Sequence, residues 1–392
     1  MERIGKTQKF LYTACVFLSM WVLSATHAAM GYLNTSVIDF YSLEGALKGL
    51  PGSINTVLSM TAFMLVIFMI GRIRKPVIIL SGALGSAGAL ILLTGTYSFP
   101  VFIFLIGLSG FACGCIDSVA SASMSDLYTG KKGAQMMCAM HAVYGLAGFF
   151  MPFAYGWVVQ NANRFQMAYL PLGMVAILLS VFMLLVTKGK FRDFEAEDAD
   201  SMRFSAPALK RLFGNRAIVP MIVILFALGM YFNGVLDWGR RFMDMKHGQY
   251  EAVVISCLYF SIAISRLVMS FVKVNTLVFT RAALFVSFVF LALASFMGNA
   301  TAALVCMIIS MLACGPIIPI VLSMACEVAP QDRFLASGVL LMFHFLGKTV
   351  YAPFFGQVES TLGISWGMLF TSLSALIGCA SAMLIPKKDV AE

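Results

Sequence analysis

Runs of roughly twenty apolar residues recur along this chain with short polar connections between them, the length a helix needs to cross a hydrocarbon layer about 30 Å thick. They fall at residues 10–33, 50–70, 77–94, 100–126, 134–159 and 166–187, then at 217–243, 251–272, 279–297, 300–327, 334–358 and 364–385. The runs are continuous rather than short and alternating, which points away from barrel strands and toward helices that satisfy their own backbone hydrogen bonds. The pattern predicts an all-α integral membrane protein with about twelve transmembrane helices.

The long hydrophilic stretch 188–216, KGKFRDFEAEDADSMRFSAPALKRLFGNR, falls between the sixth and seventh runs. It predicts a six-helix bundle at 1–187, a cytoplasmic linker at 188–216 and a second six-helix bundle at 217–392, the layout of secondary transporters built from repeated halves. Composition agrees: 60% of the 392 residues are hydrophobic and 11% charged. Lys and Arg concentrate on one side, at Arg3, Lys6, Lys9, Arg72, Arg74, Lys75, Lys131, Lys132, the 188–216 stretch, Arg266, Lys273, Arg281, Arg333, Lys387 and Lys388. By the positive-inside rule both termini are cytoplasmic and the chain is a multi-pass protein of the cytoplasmic membrane. The net charge of +9 is therefore a topology signal, and no nucleic-acid partner is expected. The basic start followed by Phe10 to Leu33 has the look of a signal peptide, but its apolar run is long for one and further spans follow, so it reads as a retained helix. The nine cysteines sit mostly in apolar runs as small hydrophobes, and no His/Cys constellation calls for a metal or cofactor.

A weak internal echo supports duplication. IGRIRKP (Ile70 to Pro76) follows the second run and ISRLVMSFVKV (Ile264 to Val274) the eighth, each placing an arginine, Arg72 or Arg266, at a cytoplasmic helix exit. The layout and this loop resemble the major facilitator superfamily, whose loop after the second helix carries a Gly-x-x-x-Asp-Arg-x-Gly-Arg-Arg-like string. In FMIGRIRK, Gly71 and Arg72 match the later Gly-Arg, and Phe68 stands where the family has its acid. The resemblance implies a transporter of two bundles that rock about a central site.

Ionisable residues deep in a span cost about 2.5–3.5 kcal/mol or more, which makes them functional candidates. Asp117 closes roughly forty uncharged residues, and about ten residues of helix beyond it put it near the bilayer midplane. His141, in the next run, reaches a similar depth. Gly107, Gly110, Gly114, Asp117 and Ser121 recur at helical spacing, as do His141, Gly145, Gly148 and Pro152, and small residues on one face let helices pack closely. Two readings stand for Asp117 and His141: a proton-coupling or solute-binding pair, or a buried hydrogen-bonded pair that ties helices together. In YFNGVLDWGRR, Asp237 and Arg241 are spaced i,i+4, read as a structural or gating ion pair in preference to a solute contact. Lys348, with His344 one turn below it, either snorkels outward or faces the cavity as counter-ion to Asp117, Asp237 or an anionic solute.

Further segments sharpen the resemblance. GFACGCIDSVASASMSD followed by MMCAMHAVYG is similar to the fucose-permease-like and related sugar-permease branches, where an acid in the fourth helix serves proton coupling and solute binding; that role falls on Asp117, and Ser121 takes the place of an Asn. Leu33-Asn34 resembles that branch's Leu-Asn-Asp, with Thr35 in place of the acid. Asn34 is then a solute contact or a helix-end residue, and YFNGVLDW matches a Glu-Gly-x-x-Asp-Trp pattern with Asn233 in place of Glu.

The expected activity is proton-coupled symport (or sodium-coupled) of a small polar solute, a sugar or related metabolite, by a monomer in the lipid bilayer. The alternatives are proton-driven export of amphipathic compounds and a non-transporting solute receptor. With neither a phosphate-binding Gly-rich loop nor a nucleophile–base set, ATP-driven transport and enzymatic activity are not expected.

Overall fold

A computed structural model describes residues 5–69, 73–128, 130–194, 206–269, 271–272 and 274–386. Fifteen α-helices follow in order: α1 (Lys6–Phe40), α2 (Leu50–Met69), α3 (Lys75–Leu93), α4 (Phe99–Leu127), α5 (Gly130–Ala162), α6 (Tyr169–Thr187), α7 (Ala206–Gly214), α8 (Ile218–Phe232), α9 (Trp238–His247), α10 (Glu251–Met269), α11 (Thr276–Phe296), α12 (Ala300–Cys314), α13 (Ile317–Val328), α14 (Arg333–Leu362) and α15 (Ile364–Met383). Eleven helical stretches are long and apolar enough to cross a membrane, and Val253–Met269 within α10 is a shorter apolar helix. Among the described residues the regular elements are helices, in the number and of the length of a multi-pass membrane protein, and the predicted runs recur in them.

Three differences have local causes. The first run grows into a helix of 35 residues, because hydropathy marks only the part that matches hydrocarbon while backbone hydrogen bonding carries on into polar sequence. The seventh run is two helices joined by a π turn, Asn233–Asp237. The tenth breaks between α12 and α13 at Gly315-Pro316, where proline removes an amide donor and obstructs the preceding turn. Within the expected linker, α7 forms and is tied to the turn before α14: Arg211 donates from Nε and Nη2 to Asp332 Oδ2 and Oδ1 at 3.2 and 2.9 Å. That carboxylate holds the exposed guanidinium even more firmly in its charged form.

The contacts divide the chain into two compact units, one of Met1–Ala29 with Ile54–Arg203, the other of Met30–Ser53 with Phe204–Glu392. The end of α1 and the start of α2 thus belong to the second unit, although both helices begin or end in the first.

In the first unit the glycine face of α4 packs on α2. A Cβ at Gly110 or Gly114 would strike the carbonyl of Asn55 or Ser59, and at Gly107 it would meet Ile54 and Leu58. Asn55 Nδ2 donates to Ile106 O at 3.1 Å and Ser59 Oγ to Gly110 O at 2.7 Å, so the close approach is also hydrogen-bonded. Lipid tails are as apolar as leucine, so helix association in a membrane depends on this kind of contact rather than on hydrophobic burial. In the second unit α8 and α14 cross in the same way, with Gly229 under the His344 carbonyl and Gly347 under the Phe226 carbonyl. Helix starts are fixed more conventionally: Asn275 and Asn299 cap α11 and α12, accepting from Val278 N and Ala302 N, as expected of Asn at an N-cap.

Gly110→Leu should force α4 from α2 and lower stability by about 1–3 kcal/mol or more, the usual range for overpacking. Gly88→Ala, where an added Cβ meets nothing within 4 Å, should leave the protein unchanged; thermal unfolding in detergent micelles compares the two.

Candidate solute and coupling sites

The candidate residues of the first unit stand on α4 and α5, and α5 meets α1 through polar contacts. Asp117 is half-buried in α4 and, among the described residues, makes no hydrogen bond or salt bridge. Among the described residues no hydrogen bond or salt bridge joins Asp117 to His141. What α5 does offer α1 is Tyr144: its hydroxyl meets His27 Nδ1 at 2.9 Å, and its carbonyl accepts from Ser24 Oγ at 2.5 Å. Tyr155 Oη donates to Ala25 O at 2.7 Å on the same helix pair. His27 escaped the sequence analysis because nothing in its spacing sets it apart from an ordinary polar residue in a span. The Ser121 side chain and residues Gly71 and Arg72 lie outside the described residues.

The second unit brings several candidates together. Asn233 is fully buried, donates Nδ2 to Asp237 Oδ2 at 2.6 Å, and keeps a buried Oδ1 with no partner. Asn34 Nδ2 donates to the Asp237 carbonyl at 2.8 Å. Lys348 acts electrostatically on both Asp237 and His344, yet no carboxylate among the described residues lies within salt-bridge distance of it. His344 has its Nδ1 3.3 Å from Leu225 O and its ring edge-on to Phe232. Arg266 donates Nε to Gly315 O at 3.1 Å, at the break between α12 and α13.

Asp237 and Arg241 do not pair. The π turn that ends at Asp237 departs from α geometry where the i,i+4 register would begin, and Arg241 turns instead to Asp39 (Nη1 to Oδ1, 3.4 Å) and Glu359 (Nη2 to Oε1, 3.3 Å). Glu359 also holds Lys48. Both Arg241 and Glu359 are buried, so Lys48, Glu359, Arg241 and Asp39 form one chain of charges linking 30–53 to α9 and α14. Arg240 lies over the Tyr32 ring at 4.0 Å and bonds the Tyr32 carbonyl. Asp39, Lys48 and Glu359 were not singled out from sequence, since charges close to the ends of spans look like ordinary interfacial decoration.

The segment 30–53 also satisfies backbone groups that irregular helix leaves open. Pro353 inside α14 has no N–H to give the carbonyl four residues back, and Ser53 Oγ donates to that carbonyl, Thr349 O, at 2.8 Å. Gly49 lies under Ala352 and Pro353, and Gly31 under the Leu236 carbonyl, each where a Cβ would clash with backbone. Asn34 serves the π turn as Ser53 serves the proline.

Among the described residues, eleven helices long enough to cross a membrane and one shorter apolar helix fall in two units, the organisation of a membrane transporter built from two bundles. The family model described as Major Facilitator Superfamily matches residues 10–350, and the chain belongs to that superfamily. Among solved structures it is similar to a bacterial homologue of the human lysosomal transporter Spinster in an inward-facing and unoccupied conformation (TM-score 0.78, 12% identity, 99% of this chain and 100% of that one). It is also similar to the transporter FucP in the outward conformation (TM-score 0.69, 13% identity, 97% and 100%); both likenesses concern the fold. A local match to the multidrug transporter protein MdtP of Bacillus subtilis (strain 168) is 35% identical over 78 residues, 19% of this chain and 14% of that protein.

Glu359→Gln removes the carboxylate that Lys48 and Arg241 share and leaves buried charge uncompensated, a loss of about 3–5 kcal/mol. Lys48→Ala should lower stability less, since Glu359 keeps Arg241; denaturant unfolding of the purified protein orders the two.

Proposed function

We propose that this superfamily transporter, which works by alternating access, is a proton-coupled symporter of a small polar solute, with Asp117 as the proton carrier. The protein is read as a monomer of the cytoplasmic membrane with both termini cytoplasmic, leaving its solute chemically unchanged. The observation that carries the reading is the Asp117 carboxylate, deep in α4 yet without hydrogen bond or salt bridge among the described residues. A carboxylate kept only to tie helices together would need a partner, and a buried charge without one is destabilising. A group that alternates between charged and neutral forms has reason to lack a fixed partner. The resemblance of GCIDSVASAS to the fourth-helix acid segment of the sugar-permease branch supports the same residue.

In this reading the contacts of Met30–Ser53 within the second unit are a gate. The chain returns to the first unit on either side of that segment, so rocking of the bundles must part the Lys48–Glu359–Arg241–Asp39 chain and the Ser53 and Asn34 hydrogen bonds. The local likeness to a multidrug transporter favours a second reading, proton-driven export of amphipathic compounds, which solute direction in oriented vesicles separates from symport.

In proteoliposomes exposed to a panel of sugars, polyols and carboxylates, the wild type should show solute-induced alkalinisation outside, and Asp117→Asn should lose it while still exchanging solute down its gradient. Unaltered proton movement in Asp117→Asn would remove Asp117 from the coupling role.

A further inference from the structure

We infer that the second unit binds a small organic anion, with Lys348 meeting the carboxylate of the solute and Asn233 accepting a hydrogen bond from a hydroxyl or amino group on it. The inference rests on the transport reading and names the class of solute.

Lys348 stands at the middle of α14, which spans Arg333–Leu362. About fourteen residues, or about 21 Å, separate it from either helix end, farther than a four-carbon stem can snorkel. A Cβ on Gly229 would come within 3.0 Å of the Lys348 amide nitrogen, so Lys348 stands where α14 crosses α8, one turn before Asn233. An ammonium at this depth with no salt-bridge partner among the described residues is costly, and Asp237, the carboxylate of the π turn, is drawn to Asn233 at 2.6 Å. Asp237 thus offsets Lys348 from a distance and leaves the ammonium donors for another group.

The second observation is independent of charge. Asn233 is fully buried, one end of its amide is used on Asp237, and the other has no partner. A buried acceptor left unsatisfied costs about 1–3 kcal/mol, and it belongs to a π turn, an irregularity that recurs at functional sites. Asn233 follows Gly229 by one helical turn, and Gly229 packs on the backbone of Lys348, so acceptor and lysine belong to one neighbourhood. Their separate demands are a negative group and a hydrogen-bond donor, which an α-hydroxy or α-amino carboxylate carries in one small molecule. A neutral sugar would satisfy Asn233 and leave Lys348 as it was. His344 and Arg266, the other titratable groups on this side, are engaged with the Leu225 and Gly315 carbonyls.

The test uses the purified full-length protein with lactate, gluconate and glycerate, each paired with its neutral amide or parent sugar, read by ligand-induced thermal shift and by counterflow exchange in proteoliposomes. At least one carboxylate should bind tenfold or more tightly than its neutral partner. Lys348→Gln should abolish that preference, and Lys348→Arg, which keeps the charge, should retain it in part. Unliganded melting curves of both variants confirm folding. Neutral partners binding as well as the carboxylates, no carboxylate binding, or carboxylate binding indifferent to Lys348→Gln would each overturn the inference. Exchange of a neutral solute alone would keep the transport reading and refute the anion. Lys348-dependent binding without exchange would keep the anion site and refute transport.

Discussion

Backbone carbonyls that lose their helical partner inside a membrane must find another, because no water is available to take them. Two such places in the second unit, the π turn at Asn233–Asp237 and the proline in α14, are served by the segment 30–53. Asn34 donates to the Asp237 carbonyl and Ser53 to the carbonyl that Pro353 leaves open. These bonds are reached only because Gly31 and Gly49 let the chains approach to backbone contact. The irregular helices and the glycines of their partner are therefore one design, and the charge chain from Lys48 to Asp39 fastens its rim.

This arrangement explains why such costly groups cluster here. Kinked and π-turned helix is tolerated where it is covered by protein or lines a cavity, and a gate has to alternate between these conditions. When the segment 30–53 is in place its hydroxyl and amide satisfy the carbonyls. In the proposed gate its departure would open the same carbonyls to water. Hydrogen bonds that contribute about 1 kcal/mol net each suit such a role, since several together hold a closed state without locking it.

The spans were legible because a hydrocarbon layer imposes length and apolarity on any helix that crosses it; the glycine spacing of α4 was legible because a helix face repeats every three or four residues. The π turn was not, since Asn233–Asp237 carries no proline and runs on into its neighbours without a polar break in the chain, and with it went the register of Asp237 and Arg241. Glu359 and Lys48 are far apart in sequence and individually unremarkable, and only folding makes them partners. Asp117 and Lys348 stood out because charge in an apolar run is rare, whereas the groups around them depend on which helix each face meets, which no periodicity in a single chain specifies.

The central claim is that Met30–Ser53 must separate from α9 and α14 in each transport cycle. Bridging Ser53→Cys to Thr349→Cys with a short bismethanethiosulfonate, at a pair where Ser53 Oγ now bonds the Thr349 carbonyl at 2.8 Å, tests it directly in proteoliposomes. The account predicts that the bridge stops solute exchange and that reductant restores it; exchange at the full rate through the bridged protein would contradict it.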